Sequence, residues 1–302
     1  MRLRKRIKRD ATYCLVLLFV RLCNLLPRRA AVCLGAWLGL AAWELIVREQ
    51  HRVHRHLSLV YHEKLSYEQR HNIGRDFFVN SGKNLADIVR FRRFFETEIK
   101  PLVSTEGLEH WEAAYRRGKG LIGVTGHIGN FELLAAYMSS LGYDVAVIGR
   151  EMYDARLDRL LIENRQAIGL TNISTIDSPR KALTWLKSGK VLGVLIDTDS
   201  SRVRSMFIPA FGRMANTPIG QTMIGLKAGS VFVPSACLRT EDNRYRIIIK
   251  PPVEIEPSGD FESDTYELTL RCTKALEEII DRYKNQWIWL HNRWRTKNSF
   301  RP

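Results

Sequence analysis

Short apolar runs alternate with amphipathic helical patterns from about residue 102 onwards, and this alternation restricts the fold more than any other feature of the sequence. The apolar runs predict strands at 120–125, 144–149, 191–196, 231–237 and 245–250. Helical spacing predicts helices near 107–117, 130–141, 154–168, 178–188, 216–228 and 263–284. Strands that alternate with helices form α/β folds. We therefore predict an α/β fold with a central mixed, mostly parallel sheet flanked by helices.

The first 62 residues differ in character from the rest of the chain. Residues 1–10, MRLRKRIKRD, carry six basic residues and one acid, and the apolar run ATYCLVLLFV follows them. A second apolar stretch, from Ala30 to Val47, is broken only by Glu44. Each stretch approaches the ~20 residues that cross a bilayer, and the positive-inside rule keeps the basic end cytoplasmic. We predict a membrane-associating helical segment over 1–62 and an α/β domain over 63–302.

Two other interpretations of this segment stay open. A basic start and a short apolar run also describe a signal peptide, although no small-x-small cleavage site follows. The other is a buried helical hairpin of a soluble protein.

The residues that follow are predicted to be helical. Residues 48–62 indicate a basic interfacial helix, and residues 67–91 indicate a long helix. The five cysteines are odd in number and form no CxxC pair, which favours a reducing compartment.

The charge of the chain predicts acidic partners. Lys and Arg number 47 against 32 Asp and Glu, a net charge of +15. Such a surface attracts nucleic acid, anionic lipid headgroups or an acidic carrier protein. Nucleic-acid binding leaves the apolar N-terminus unexplained, so we predict no nucleic-acid partner. The basic groups that could dock an anion are Arg90, Arg92 and Arg93, or Arg202 and Arg204.

The stretch GVTGHIGNFELLA, residues 123–135, is the strongest candidate for a catalytic turn. His127 follows a predicted strand, where open α/β sheets place their ligands, and Asn130 is a plausible N-cap of the next helix. Gly126 and Gly129 permit a tight turn. The turn lets Glu132 fold back toward the imidazole, fixing its tautomer and leaving the other ring nitrogen as a base. The alternative is a helix-capping histidine in a structural turn.

Other patterns predict no chemistry. His71 and Asp76 repeat the spacing, but inside one helix they point about 140° apart. The G-x-G-x-x-G of residues 118–123 precedes its strand instead of following it. His51, His54 and His56 alternate with arginines and lack a completing cysteine or carboxylate. No G-x-S-x-G nucleophile elbow occurs. We predict no metal.

Four blocks in order resemble the bacterial lipid A biosynthesis acyltransferases, within the wider glycerolipid acyltransferase-like group. They are GKGLIGVTGHIGNFELLA, GKVLGVLIDTDS (189–200), FIPAFGRMANTPIGQTMIGLKAGSVFVP (207–234) and WIWLHNRWRT (287–296). Two departures bear on the acceptor. Thr198 stands after Asp197 where the family usually has Gln, and His56-Leu57 stands where many relatives have Asn-Leu.

The resemblance implies transfer of a fatty acyl chain from an acyl carrier protein or CoA thioester to a hydroxyl of a lipid A precursor. It implies His127 as general base and Glu132 as its orienting carboxylate, without a cofactor. Backbone N–H groups near Gly129 and Asn130, or the side chain of Arg150 or Arg165, are candidates to stabilise the oxyanion, and Asp197 is a further substrate-binding candidate at a strand end. A lysophospholipid, glycolipid or aminolipid acceptor stays open. The implied location is the inner membrane, with the catalytic domain on its cytoplasmic side and its basic groups facing the anionic surface.

Overall fold

A seven-stranded sheet forms the centre of the protein in the computed structural model, which describes residues 2–149, 152–174, 178–200 and 203–297. The strands of the chain are β1 Val103–Glu106, β2 Leu121–Thr125, β3 Val145–Gly149, β4 Thr171–Ser174, β5 Val191–Leu195, β6 Ser205–Ala210, β7 Arg213–Pro218, β8 Val231–Arg239 and β9 Tyr245–Ile249. The sheet order is β1-β9-β8-β2-β5-β3-β4, with β6 and β7 as a separate hairpin. Within the sheet only β8 and β9 pair antiparallel. The predicted mixed, mostly parallel α/β fold is confirmed.

The helices are α1 Arg2–Leu25, α2 Arg28–Leu45, α3 Val47–Tyr61, α4 Tyr67–Ile88, α5 Phe91–Phe94, α6 Leu108–Arg116, α7 Phe131–Ser140, α8 Ala155–Gln166, α9 Ser178–Lys187, α10 Gly220–Ala228 and α11 Phe261–Arg282. A π-helical segment, Phe95–Ile99, follows α5. Short 3-10 turns occupy His62–Lys64, Lys100–Leu102 and Lys284–Gln286.

All five predicted strands are present, and the helices agree with the predictions except at one start. The helix predicted over 216–228 begins only at Gly220, because residues 216–218 end β7. The predictions missed β1, β4, β6 and β7. Strands β1 and β4 lie at the two edges of the sheet, with sequences VSTE and TNIS. Edge strands are short and partly solvated, so they lack the continuous apolar run that marks a central strand.

Strand β2 lies at the centre of the core, and all five of its residues are buried. Helix α11 contributes residues such as Leu276 to the core cluster that contains Ile122. Helices α6 and α7 contribute Trp111 and Leu133 to the cluster that contains Leu121. Burying one such side chain contributes about 1.5–3 kcal/mol. The strand that leads into the candidate turn is therefore held firmly from both faces.

Helices α2 and α4 pack at backbone contact. A Cβ atom on Gly35 would overlap the carbonyl oxygen of Gly82, and one on Gly82 would overlap that of Gly35. Gly39 meets the Phe78 carbonyl in the same way. Large apolar side chains stay exposed on α1 and α2: Leu15, Leu18, Leu25, Trp37, Leu38 and Leu45.

The predicted membrane segment is not confirmed by helix length and composition. Among the described residues, no single helix is both long and apolar enough to cross a membrane. Helices α2 and α3 meet that criterion only as a pair, and they are bent by 86°. Trp43 and Leu57 belong to the same core cluster as Ile122 of the sheet. The division of the chain at residue 62 stays a prediction.

Candidate active site

The turn after β2 is held in place by the C-terminal segment and by β8. The Gly129 amide donates to the Gln286 carbonyl (2.9 Å), and the His127 carbonyl accepts from the Ile288 amide (3.1 Å). Gly129 has a φ of +58°, and a Cβ atom there would overlap the Cys237 carbonyl oxygen. The chain therefore requires glycine at this position.

Asp197 is the carboxylate that holds His127. It lies just past the end of β5, next to β2 in the sheet. Nδ1 of His127 donates to Oδ1 of Asp197 at 2.8 Å. Oδ2 accepts from the His127 amide at 2.6 Å and from the Trp287 indole at 2.8 Å. Three donors thus converge on one buried carboxylate, which fixes both the ring and the backbone of the histidine.

The pairing changes the pKa of both groups. Burial lowers the pKa of His127, but the charge and hydrogen bond of Asp197 outweigh burial and raise it above its usual value. Burial raises the pKa of Asp197, but the charge of His127 and the hydrogen bonds from His127 and Trp287 hold it well below its usual range. The carboxylate therefore stays ionised and fixes the proton on Nδ1.

The second ring nitrogen of His127 is available to a substrate. The side chain is 22% exposed. Among the described residues, no hydrogen bond to Nε2 is formed. With Nδ1 protonated, Nε2 of the neutral ring has a free lone pair. This nitrogen can accept a proton from a hydroxyl placed at the carboxyl end of β2.

Glu132 does not contact the imidazole, so the predicted pairing of Glu132 with His127 is wrong. Its carboxylate instead accepts two hydrogen bonds from Arg165, at 3.0 Å from Nε and 2.5 Å from NH2. Glu132 lies in the first turn of α7, and Arg165 in the last turn of α8. Bidentate pairs of this kind are strong and specific in orientation. NH1 of Arg165 donates to Asn172 at 2.6 Å, so the whole guanidinium is fixed.

An apolar cavity of about 50 Å³ lies beside this ion pair. Glu132 and Arg165 contribute to its lining, together with Trp111 and Met138. Two glycines, Gly123 of β2 and Gly193 of β5, face each other in register and also line it. A Cβ atom on Gly123 would overlap the ring of Trp111, so this glycine lets the ring pack directly against the sheet.

The predicted substrate-binding residues of the turn have structural partners. The Asn130 amide donates to the Cys237 carbonyl at 2.7 Å. Its side chain caps α7 through the Leu133 amide (3.0 Å), confirming the predicted N-cap, and donates to the Tyr245 hydroxyl (3.2 Å). The Gly129 and Asn130 amides are thus both occupied, so neither is free for an oxyanion in this conformation. Arg150 lies outside the described residues.

Sequence reasoning missed His291. Its ring lies edge-on to that of His127, with centroids 4.8 Å apart. Its Nε2 is buried and has no hydrogen-bond partner in the described part of the chain. Burial, followed by the charge of His127, lowers the pKa of His291, so its ring is neutral. The block WIWLHNRWRT contains this histidine and was identified as a family motif, but the sequence does not show which of its residues faces the turn.

His56 fastens this C-terminal segment. Its Nδ1 donates to the Trp289 carbonyl at 2.6 Å, and its Nε2 lies 3.1 Å from Oδ1 of Asn292. The side chain is buried, so it is a structural anchor and not part of an exposed basic face. In the described residues, no group of three or more His, Cys, Asp or Glu could hold a metal ion.

The predicted docking arginines differ in environment. Arg90 is buried, 2.5 Å from Glu98 across an ion pair, and so is not a docking group. Arg92 and Arg93 are exposed, as is Arg204. Arg202 lies outside the described residues.

Comparisons with known proteins agree with one another. The sequence model of a family described as "Bacterial lipid A biosynthesis acyltransferase" matches residues 2–296. The "Lipid A biosynthesis lauroyltransferase" of Escherichia coli (strain K12) is 27% identical over 278 residues, 90% of this chain and 87% of that protein. The "Lipid A biosynthesis palmitoleoyltransferase" of the same strain is 23% identical, with the same shares of each chain covered. A "Lipid A biosynthesis acyltransferase" of Shigella flexneri is also 23% identical over those shares.

Proposed function

The chain belongs to the bacterial lipid A biosynthesis acyltransferases, and we propose that it moves a fatty acyl chain from an acyl carrier protein or CoA thioester to a hydroxyl of a lipid A precursor. One observation carries the proposal. The Nδ1 nitrogen of His127 is bound by the buried Asp197 carboxylate, while Nε2 is left without a protein partner among the described residues. This is the arrangement of a general base.

His127 acts on the acceptor hydroxyl. Nε2 takes its proton as the hydroxyl oxygen attacks the thioester carbonyl carbon. The tetrahedral intermediate collapses, the C–S bond breaks, and the thiolate takes the proton back from Nε2. Asp197 stabilises the imidazolium between these steps. Base catalysis of this kind contributes about 10²–10⁴-fold to a rate.

Arg165 binds the thioester carbonyl oxygen, and Glu132 positions it. The guanidinium is fixed by Glu132 and Asn172 and lines the apolar cavity. A fixed cation at the carbonyl stabilises the oxyanion without reorganising during the reaction. Glu132 is then a positioning residue for Arg165 and not for His127.

The cavity beside Arg165 receives the acyl chain. Its lining is mainly apolar, and Arg165 lies at its edge. The cavity is narrow, so a long chain enters only if its walls shift. Met138 is the side chain best suited to move, because methionine is flexible.

The N-terminal helices bind the inner membrane on its cytoplasmic side. Exposed leucines and Trp37 on α1 and α2 supply an apolar face, and the basic start of the chain suits an anionic surface. Both substrates can then reach the site from the membrane or the cytoplasm.

The decisive experiment compares wild-type membranes with membranes carrying His127→Ala or the exposed-site control His51→Ala. Labelled acyl carrier protein thioester is supplied with either a lipid A precursor or a lysophospholipid. We expect transfer to the precursor, lost in His127→Ala and kept in His51→Ala. Transfer only to the lysophospholipid overturns the acceptor but not the mechanism. Undiminished transfer in His127→Ala makes the turn structural.

A further inference from the structure

A second pocket, of about 470 Å³, lies between α4, the end of β8 and the turn at residues 283–286. Its lining is rich in charged and amide side chains, among them Lys83, Arg239, Arg246 and Gln286. The proposed reaction uses none of these side chains.

Arg239 is the buried cation of this pocket. Its Nε donates to Asn84 at 2.9 Å, and its NH2 donates to Asp87 at 2.8 Å. Its NH1 is buried and has no hydrogen-bond partner within the described residues. A buried guanidinium with an unused donor is costly, since a missing bond to a charged group leaves its desolvation uncompensated.

Lys83 increases the positive charge next to Arg239. It is half-buried on α4 and forms no ion pair with any residue that the structure describes. Burial, followed by the charge of Arg239, lowers its pKa. Arg246 is exposed on β9 and is likewise without an ion pair in the described part of the chain.

Two carboxylates also line the pocket, and neither forms an ion pair with Lys83 among the described residues. Asp76 lies 3.3 Å from Arg75 in an ion pair on α4. Glu241 is exposed in the turn after β8. Asp87, the ion-pair partner of Arg239, also forms an ion pair with Arg28 at 2.8 Å. The charge of Asp76 acts on Lys83 but does not outweigh burial and the charge of Arg239, which lower the pKa of the lysine.

We propose that this pocket binds a phosphoryl group of one of the substrates. Neither Lys83 nor Arg246 has an ion-pair partner among the described residues, and the negative charge of a phosphate would supply one. Phosphate oxygens also accept the charge-assisted hydrogen bonds that ammonium and guanidinium groups donate. Two sources share this chemistry: a phosphorylated glycolipid acceptor and the phosphodiester of a pantetheine arm. The source rests on the proposed function, whereas anion binding itself does not.

Gln286 connects the pocket to the candidate active site. Its side-chain amide accepts from the Arg239 amide at 2.9 Å and donates to the Arg239 carbonyl at 2.8 Å. Its own carbonyl accepts from the Gly129 amide at 2.9 Å. The next residue, Trp287, donates to Asp197 at 2.8 Å. Gln286, which lines the pocket, is thus adjacent in sequence to Trp287, which binds the carboxylate that orients His127.

Substrate kinetics test the proposal with the full chain in membranes. Lys83→Gln removes the charge, Lys83→Arg keeps it, and Lys119→Gln is a control at an exposed lysine that does not line the pocket. The acceptor is offered with and without its phosphates, and the donor as carrier-protein thioester or as a short thioester that lacks phosphate.

We expect Lys83→Gln to raise KM about tenfold for one phosphorylated substrate, the size of one lost charge-assisted hydrogen bond. The matching substrate without phosphate keeps its KM, as do Lys83→Arg and Lys119→Gln with every substrate. The affected substrate identifies the source. Equal effects on phosphorylated and unphosphorylated substrates, or no effect on either, overturn the proposal.

A binding measurement separates this inference from the proposed activity. Inorganic phosphate is titrated against chloride at equal ionic strength, and the Tm of the detergent-solubilised protein is followed. We expect phosphate to raise the Tm of wild type and His127→Ala but not of Lys83→Gln, because a ligand stabilises the state that binds it. If phosphate raises the Tm but the His127→Ala variant stays active, the proposed mechanism is wrong and the anion-binding pocket is supported. Absence of stabilisation in wild type overturns the pocket.

Discussion

Nδ1 of His127 lies 2.8 Å from Oδ1 of Asp197, although 70 positions of chain separate the two residues. Parallel pairing of β2 with β5 brings the carboxyl ends of these strands together, and Asp197 follows β5 as His127 follows β2. The base and its orienting carboxylate therefore come from neighbouring strand ends and not from a single turn.

Asp197→Asn should lower kcat by about 10²–10⁴-fold, the range of base catalysis, because the asparagine neither fixes the tautomer nor stabilises the imidazolium. Asp197 raises the pKa of His127, so its loss lowers that pKa. The acidic limb of the kcat/KM profile, where His127 loses its proton, should move to lower pH. An unmoved limb contradicts the assignment. The measurement is a pH–rate series on both proteins.

Glu132→Gln should reduce the rate but leave the acidic limb where it is in wild type. Glu132 binds Arg165 and not His127, so its removal frees the guanidinium without altering the histidine. Glu132→Gln and Arg165→Gln should be non-additive by about 0.5–3 kcal/mol in a double-mutant cycle, as expected of residues in contact. A limb that moves as in Asp197→Asn would restore Glu132 as the partner of the imidazole.

His291→Leu should lower activity without destabilising the fold. The leucine fills much of the same space, and the replaced Nε2 has no hydrogen bond to lose among the described residues. Removing an unpaired buried polar atom is neutral or stabilising. We expect a Tm at or above that of wild type and a fall in kcat of roughly tenfold or more, because the His291 ring packs edge-on against that of His127 and helps to position it. A lower Tm with full activity would make His291 structural.

Gly82→Ala should destabilise the packing of α2 against α4. Any Cβ at this position overlaps the Gly35 carbonyl, and backbone cannot move aside as a flexible side chain can. Overpacking of this kind costs about 1–3 kcal/mol or more. Gly220→Ala is the control, because nothing lies within 4 Å of a Cβ built there. Thermal unfolding of the two variants and of wild type measures the difference.

The pairing of His127 with Asp197 should make stability depend on pH in two windows. The folded-state pKa of His127 is raised, so its contribution is complete below about pH 6.5, the unfolded pKa, and is lost as pH rises through the folded pKa. The pKa of Asp197 is lowered, so its contribution is present above about pH 3.9 and is lost as pH falls through its folded pKa. In His127→Gln the Tm should lack the decline on the alkaline side. Tm measured at closely spaced pH values tests this.

Local pattern was sufficient for much of the fold. The central strands are buried on both faces, so their apolar runs are continuous and visible in the sequence, as in LIGVT of β2. Gly129 and the N-cap Asn130 of the turn at His127 act within a few residues of one another, and they too could be predicted directly. The edge strands β1 and β4 could not, because their exposed positions are polar.

Contacts between side chains that are far apart in the sequence could be known only from the folded protein. The spacing of His127 and Glu132 suggested a contact, but α7 directs Glu132 to Arg165, and the sheet brings Asp197 to the imidazole instead. His291 reaches His127 because the Gln286 and Ile288 backbone bonds fasten the C-terminal segment along the turn. Periodicity reports which face of an element is buried. Periodicity does not report which distant side chain contacts that face, because the order of the strands and the pairing of distant segments determine this contact.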